Sequence, residues 1–227
     1  SLSCSLFTVL LTYGIALQVA PRRRVLALGS AALVAFNPQF LFISASASND
    51  SLITALSTLV LWLSCRTANR QIDHPHDAIW LGIGVGLASL AKLSGLALIP
   101  VACLALALKS RSSPFDRQGW RNLASNLWRP LAIMLALISA IAGWWYVRNA
   151  ILYQDPLGMH AMAAAFSIRD QPLSLLKAVG LLVDSLVSYW GVFGWMNVLA
   201  DELYYTLIRM FTVLGIIGLS LFMARFR

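Results

Sequence analysis

The sequence predicts an all-α, polytopic integral membrane protein of about seven transmembrane helices, with an amphipathic helix lying in the outer interface. Three observations carry that expectation. The 227 residues are 59% hydrophobic and 11% charged, with a mean hydropathy of +0.75, whereas a soluble domain carries about 25% charged residues. The apolar residues gather into blocks of bilayer length. The cations alternate along the chain in a way that only one number of crossings makes consistent. A soluble globular domain is excluded, because its surface could not be covered. The net charge of +8 then reports orientation in the membrane and is no evidence for nucleic-acid binding.

Apolar blocks fall at roughly 3–20, 26–44, 51–66, 78–108, 130–147 and 203–224, and a crossing helix needs about 20 residues at 1.5 Å each. The fourth block is too long for one crossing, at about 46 Å, yet makes two rather short ones. It holds one charge, Lys92, followed by Ser94 and Gly95. Breaking it there gives seven crossings and puts Arg22, Arg23, Arg24, Arg66, Arg70, Lys109, Arg111, Arg117, Arg121, Arg129, Arg225 and Arg227 on one side, twelve of seventeen cations. By the positive-inside rule that side is cytoplasmic. The other side gathers Asp50, Asp155, Asp170, Asp184, Asp201 and Glu202, six of nine acids.

The chain is read as a single transmembrane domain over 1–227, with an outer loop and interfacial helix at about 148–202. In that loop Ser174, Lys177, Asp184, Ser185 and Ser188 recur near helical spacing among Leu175, Leu176, Val179, Leu182, Val183 and Leu186, the pattern of a helix in the interface plane. It runs into Tyr189, Trp190, Phe193 and Trp195, read as an interfacial aromatic belt or a substrate-stacking platform. Gly82, Gly84 and Gly86 form a small-residue face for close helix packing. Cys4, Cys65 and Cys103 have neither paired spacing nor an even count, so no disulfide framework or zinc site follows. The opening SLSCSLF, without Met or a basic segment, reads as a helix entered partway and the chain as a fragment.

Ionisable groups at membrane depth are costly and are functional candidates by default. Three share the outer face: Asn49-Asp50 in a short turn between crossings, Lys92 at the break, and Arg148-Asn149 after Gly143-Trp144-Trp145-Tyr146. Lys92 and Arg148 are of the type that binds a phosphate, as point charge and as bidentate fork. Each has a plainer reading as well: Asp50 as a helix cap, Lys92 as a snorkelling side chain, Arg148 as a lipid-headgroup contact. Their concurrence on one face favours a site. Asp73, His74, His76 and Asp77 have metal-ligand chemistry but read as a solvated cytoplasmic loop, and His160, taken alone, reads as neither base nor ligand. Asn49-Asp50-Ser51 matches a glycosylation acceptor but lies too close to the bilayer.

The segments FNPQFLFISASASND, GIGVGLASLAKLSGLALIP and GWWYVRNAILYQDPLG resemble the core of the polytopic GT-C glycosyltransferases. The likeness is to bacterial relatives of the dolichyl-phosphate-mannose protein mannosyltransferases, glycosyltransferase family 39, and to the aminoarabinose transferases. SYWGVFGWMN resembles a related bacterial integral-membrane family of unassigned function. The resemblance covers about residues 26–200 and implies a bacterial inner-membrane enzyme whose extracytoplasmic loops hold a polyprenyl-phosphate-linked sugar. It implies that Asp50, the second acidic position, binds metal or acceptor, that Lys92 and Arg148 neutralise the departing phosphate, and that Trp144 and Trp145 contact lipid or sugar. The general base of such enzymes lies on the first outer loop, expected upstream of Ser1, so the fragment alone is expected to be inactive. The expected partners are the lipid-linked donor and membrane lipids, with no nucleic acid. A divalent cation stays open as cofactor, as do a transporter or flippase and a non-catalytic membrane subunit as alternative functions.

Overall fold

The computed structural model describes residues 1–69, 76–109, 117–165, 174–194 and 197–224. Its chain is helical almost throughout, and its contacts divide it into two units, residues 1–35 with 43–168 and residues 36–42 with 169–227. Four helices are long and apolar enough to cross a membrane: Leu2–Val19, Asp50–Asn69, Asn126–Tyr153 and Glu202–Ala224. A fifth crossing follows if Arg24–Ala35 and Pro38–Ala45 count as one broken span, so the described residues hold four to five such helices where seven were expected; His76–Ala91 and Leu93–Lys109, the two halves of the fourth apolar block, are apolar but shorter. The protein is an all-helical membrane protein, as its composition requires.

In the first unit α1 (Leu2–Val19) packs on α4 (Asp50–Asn69) and on α2 (Arg24–Ala35). Its buried residues Ser5, Thr8 and Leu11 recur every three positions, the spacing of one helix face. The block expected as one helix over 26–44 is interrupted at Phe36-Asn37. Pro38 has no N–H and opens a new helix, α3 (Pro38–Ala45), where a missing donor costs nothing.

The centre of this unit is α5 (His76–Ala91), with nine of its sixteen residues buried. Val60 of α4, Ala102 and Leu106 of α6 (Leu98–Lys109), and Met134 and Ile138 of α7 (Arg117–Ile138) surround its Ala78, Leu81 and Val85. The three glycines pack closely, but not on the single face expected: a spacing of two turns Gly84 toward α4, opposite Gly82 and Gly86. A Cβ on Gly82 would stand 2.9 Å from the Met134 carbonyl, on Gly84 3.0 Å from Val60, and on Gly86 3.0 Å from Ile141. The α7-span partners of Gly82 and Gly86 rise in number along α5, so α5 and the α7 span run parallel.

The break expected at Lys92 is present. α5 stops at Ala91, Lys92 is extended, and a 3₁₀ turn (Leu93–Ala97) leads into α6. Gly95 permits the reversal, because a Cβ there would lie 2.3 Å from the Ala88 carbonyl carbon.

Asp77 overturns the reading of its segment as a solvated loop; Asp73, His74 and Pro75 lie outside the described residues. It sits in the first turn of α5, buried, with Oδ2 3.0 Å from Lys109 Nζ and the two side chains 8% and 11% exposed. An acid at a helix start and a cation at a helix end are each favoured by the backbone dipoles, and their pairing offsets part of the cost of burying both charges.

In the second unit, α10 (Leu175–Gly191) is the helix expected over 174–188, begun by Ser174, whose hydroxyl accepts from the Lys177 amide. A two-residue antiparallel pair follows, β1 (Val192–Phe193) with β2 (Val198–Leu199), and then α11 (Glu202–Ala224).

Two outcomes test this packing. Gly95→Ala should destabilise the detergent-solubilised protein by about 3 kcal/mol or more, since the added methyl has only backbone to meet, while Gly215→Ala, where nothing lies within 4 Å, should leave the thermal midpoint unchanged. Lys109→Met should cost about 3–5 kcal/mol by stripping the ammonium from a buried carboxylate, and adding Asp77→Asn should restore most of that loss in the same melt.

Candidate functional site

A helix that ends leaves its last carbonyls without intrahelical donors, and in hydrocarbon protein must supply them. At the end of α5 two other elements do so. Tyr146 Oη donates to the Ser89 carbonyl at 2.8 Å, and Asn49 Nδ2 donates to the Ala91 carbonyl at 3.2 Å. The Asn49 amide is thereby committed to structure, a second reason it makes a poor glycan acceptor.

The same two contacts bring charges together. Asn49 carries the turn into α4, whose first residue is Asp50, and Lys92 immediately follows α5. Lys92 Nζ lies 2.6 Å from Asp50 Oδ1, with the side chains 47% and 40% exposed. Asp50 does not act through its side chain as a helix cap; the amide that opens α4 bonds the Ser48 hydroxyl, and the carboxylate goes to lysine. Lys92 is therefore not a free cation. An ion pair this open contributes about 0–1 kcal/mol to stability, too little to explain two charges at the end of an apolar core.

Arg148 lies at the same end. Gly82 meets Met134, Gly86 meets Ile141 and Ser89 meets Tyr146, so the parallel span brings Arg148, two residues beyond Tyr146, level with the end of α5. A π-helical segment, Ser139–Gly143, separates α7 from α8 (Trp144–Tyr153). Such a bulge adds a residue to the turn and rotates everything after it. On α8 the Arg148 guanidinium stands 5.3 Å from the Trp145 ring and 5.9 Å from the Tyr153 ring, held by two aromatic faces. It makes no ion pair with Asp50, and Asn149, half-buried, takes no hydrogen-bond partner among the described residues.

The expected residues thus form two groups at one end of the unit: Asn49, Asp50 and Lys92 in direct contact, and Arg148 with Trp145 on α8. A divalent metal does not fit them. Lysine already occupies the Asp50 carboxylate, and no group of three or more His, Cys, Asp or Glu side chains converges among the described residues. Tyr146 and Gly95, which hold the end of α5 and the turn after it, carried no signal in the sequence beyond standing near the charges.

Asp155 and His160 close the turn after α8. Gln154 ends that helix in the left-handed conformation, and Gly158, also at positive φ, completes the reversal into α9 (Met159–Ala165). Asp155 is 6% exposed; its Oδ2 accepts from the His160 amide at 2.6 Å and lies 3.6 Å from His160 Nδ1. Burial pushes this carboxyl up, but the amides of His160, Met159 and Gly158 and the His160 ring outweigh it, so Asp155 titrates below the ordinary carboxylate range.

In the second unit the motif residues serve structure. At the end of α10 the Tyr189, Trp190 and Gly191 carbonyls accept from Asn37 Nδ2, Tyr204 Oη and Tyr205 Oη, while Gln39 Oε1 receives the Val192 amide. FNPQF and SYWGVFGWMN are therefore two halves of one capping arrangement; Trp195 and Met196 lie outside the described residues.

A family model described as "Predicted membrane protein (DUF2142)" matches residues 3–226, and the chain belongs to that family. No curated protein and no solved structure matches it.

The Asp155 carboxylate sets a pH dependence. A carboxyl lowered on folding stabilises its surroundings above its unfolded pKa and ceases to do so as pH falls through the folded value. After correction for intrinsic rates, the amides of Gly158, Met159 and His160 should exchange faster with solvent as pH drops below the carboxylate range, and Asp155→Asn should show that faster exchange already at neutral pH.

Proposed function

We propose that this DUF2142 member transfers a sugar from a polyprenyl-phosphate-linked donor to an acceptor at the extracytoplasmic face of the bacterial inner membrane. The observation that carries the reading is the retention of Asp50, Lys92 and Arg148 at one end of an apolar helical core, two of them paired in the open and the third held by aromatic rings. The resemblance of the surrounding segments to the GT-C enzymes supports it.

In that reading Arg148 presents its fork to the lipid phosphate, and its stacking on Trp145 and Tyr153 reduces the side-chain freedom lost on binding. Lys92 adds a second cation at the cost of loosening its bond to Asp50. Both stabilise negative charge that grows on the phosphate as the anomeric bond breaks. Asp50, relieved of lysine, is left to orient the acceptor. The Asn49 and Tyr146 bonds to the end of α5 keep these groups in register. No step is assigned to a metal, since the described residues do not assemble a site for one.

A transporter or flippase is the second reading, favoured by the discontinuous α5 and α6 with a charge at their junction, a construction that transporters use at substrate sites.

Activity of the full-length protein in proteoliposomes, with radiolabelled short-chain polyprenyl-phosphate hexoses as donors and membrane extract as acceptor source, separates these readings. Arg148→Ala and Lys92→Met should each lower transfer about 10²-fold, the scale of losing one transition-state donor, and Asp50→Asn should lower it with little change in donor affinity. Counterflow of the labelled donor without covalent product would replace the transferase reading with the second one.

A further inference from the structure

At the end of α1 and α4 opposite Asp50 and Lys92, the first unit gathers arginines that the candidate site does not use. The two helices run side by side in the same direction. The Ser1 hydroxyl donates to the Ser46 carbonyl at 2.6 Å near one end, a Cβ on Gly14 would stand 2.9 Å from Trp62 Nε1, and Asn69 Nδ2 donates to the Gln18 carbonyl at 3.2 Å near the other. Arg66 follows Asp50 by sixteen positions of α4, about 24 Å along the helix axis. Arg22, Arg23 and Arg24 follow Gln18 in the connection to α2, all exposed, and so share this end with Arg66.

Orientation in the membrane depends on how many Lys and Arg flank a span, and not on which cation is used or how it is held. Two of these arginines are held. The Arg66 guanidinium stands 5.2 Å from the Trp62 ring centroid, and that ring lies against Gly14, so the packing of α1 on α4 sets where the fork sits. At the connection, the Arg23 amide donates to the Ala20 carbonyl at 3.2 Å, closing a turn with Pro21 and Arg22 at its centre, and Arg22 has φ 73°. Proline followed by a positive φ is the type II pattern, whose third position suits glycine or asparagine. An arginine there is strained, and such strain collects at ligand sites.

No carboxylate answers these charges. Arg22, Arg23, Arg24 and Arg66 make no ion pair among the described residues, and Asp77, at the start of α5 on this same end, is held by Lys109. Arg129, five residues before the Met134 that meets Gly82, repeats the construction on α7, its guanidinium 5.1 Å from the Trp128 ring centroid. Beside the arginines of the turn, Val19, Val25 and Leu26 are exposed, apolar side chains next to cations.

We propose that this end of the first unit binds anionic phospholipid, with Arg22, Arg23, Arg24 and Arg66 receiving headgroup phosphates and Val19, Val25 and Leu26 meeting the acyl chains. The guanidinium fork matches phosphate oxygens as an ammonium does not. The ligand is a lipid and not a free phosphate because the cations cap helices of crossing length and lie beside tryptophan rings and exposed aliphatic side chains, the composition of a membrane interface.

The test titrates the full-length protein in neutral detergent with short-chain phosphatidylglycerol or phosphatidylcholine and counts bound lipid by native mass spectrometry. Phosphatidylglycerol should bind at least about tenfold more tightly than phosphatidylcholine, and Arg22→Gly and Arg66→Gln should each weaken it about fivefold, the scale of one cation at a lipid surface. Arg22→Gly relieves the turn, so its thermal midpoint without added lipid should not fall below wild type, and Arg66→Gln makes the same test on a separate helix. Lys177→Gln should bind as wild type. Equal binding of the two lipids would overturn the proposal, as would a loss in Lys177→Gln as large as in the arginine variants, which would reduce the effect to net charge. Release of bound phosphatidylglycerol by millimolar inorganic phosphate would assign the arginines to a soluble anion and overturn it too.

Discussion

The structure depends on how the ends of its helices are satisfied. A backbone carbonyl left unpaired in hydrocarbon costs several kcal/mol, so a helix can stop in an apolar core only where another element brings a donor. α5 stops at Ala91 because Asn49 and Tyr146 reach its terminal carbonyls. In the second unit α10 stops at Gly191 because Asn37, Tyr204 and Tyr205 do the same. These caps position everything else. The first aligns the Asp50 turn and α8 on the end of α5, and the second ties the start of α3 and the start of α11 to the aromatic strand pair.

Charges are distributed by the same economy. α5 begins with Asp77 on Lys109 and ends beside Lys92 on Asp50, so each end of the central helix carries an ion pair. The two are of different kinds. The Asp77–Lys109 pair is buried, and its worth lies in the penalty of breaking it. The Asp50–Lys92 pair is half open and cheap to separate, as the proposed exchange of lysine for a phosphate ligand requires. The difference in burial separates a structural pair from a candidate site more clearly than residue type does.

Much of this was legible in the sequence, for identifiable reasons. The break at Lys92 followed from a block too long for one crossing and from the cation balance, and the glycines at 82, 84 and 86 announced a close packing that the structure contains. Span counting expected Asp50, Lys92 and Arg148 on one face; in the structure Lys92 meets Asp50, while Arg148 lies against Trp145 and Tyr153. What the sequence left out are contacts between distant positions. Asn37 and Tyr189 are 152 residues apart, and no local pattern shows that one caps the other. Asp77 was misread because His-Pro-His-Asp has the composition of a solvated loop, while its actual environment is decided by Lys109, 32 residues on. His160 looked solitary because its partner stands five residues away across a reversal that two positive-φ residues create.

The sequence alone determined the solvent and the helical class, because hydrophobic blocks act through length and composition, which are additive along the chain. Tertiary structure alone decided which charges are paired, which carbonyls are capped and which ring stacks on Arg148. Those depend on distances of a few ångströms between elements far apart in sequence, and a one-dimensional pattern holds no such distances.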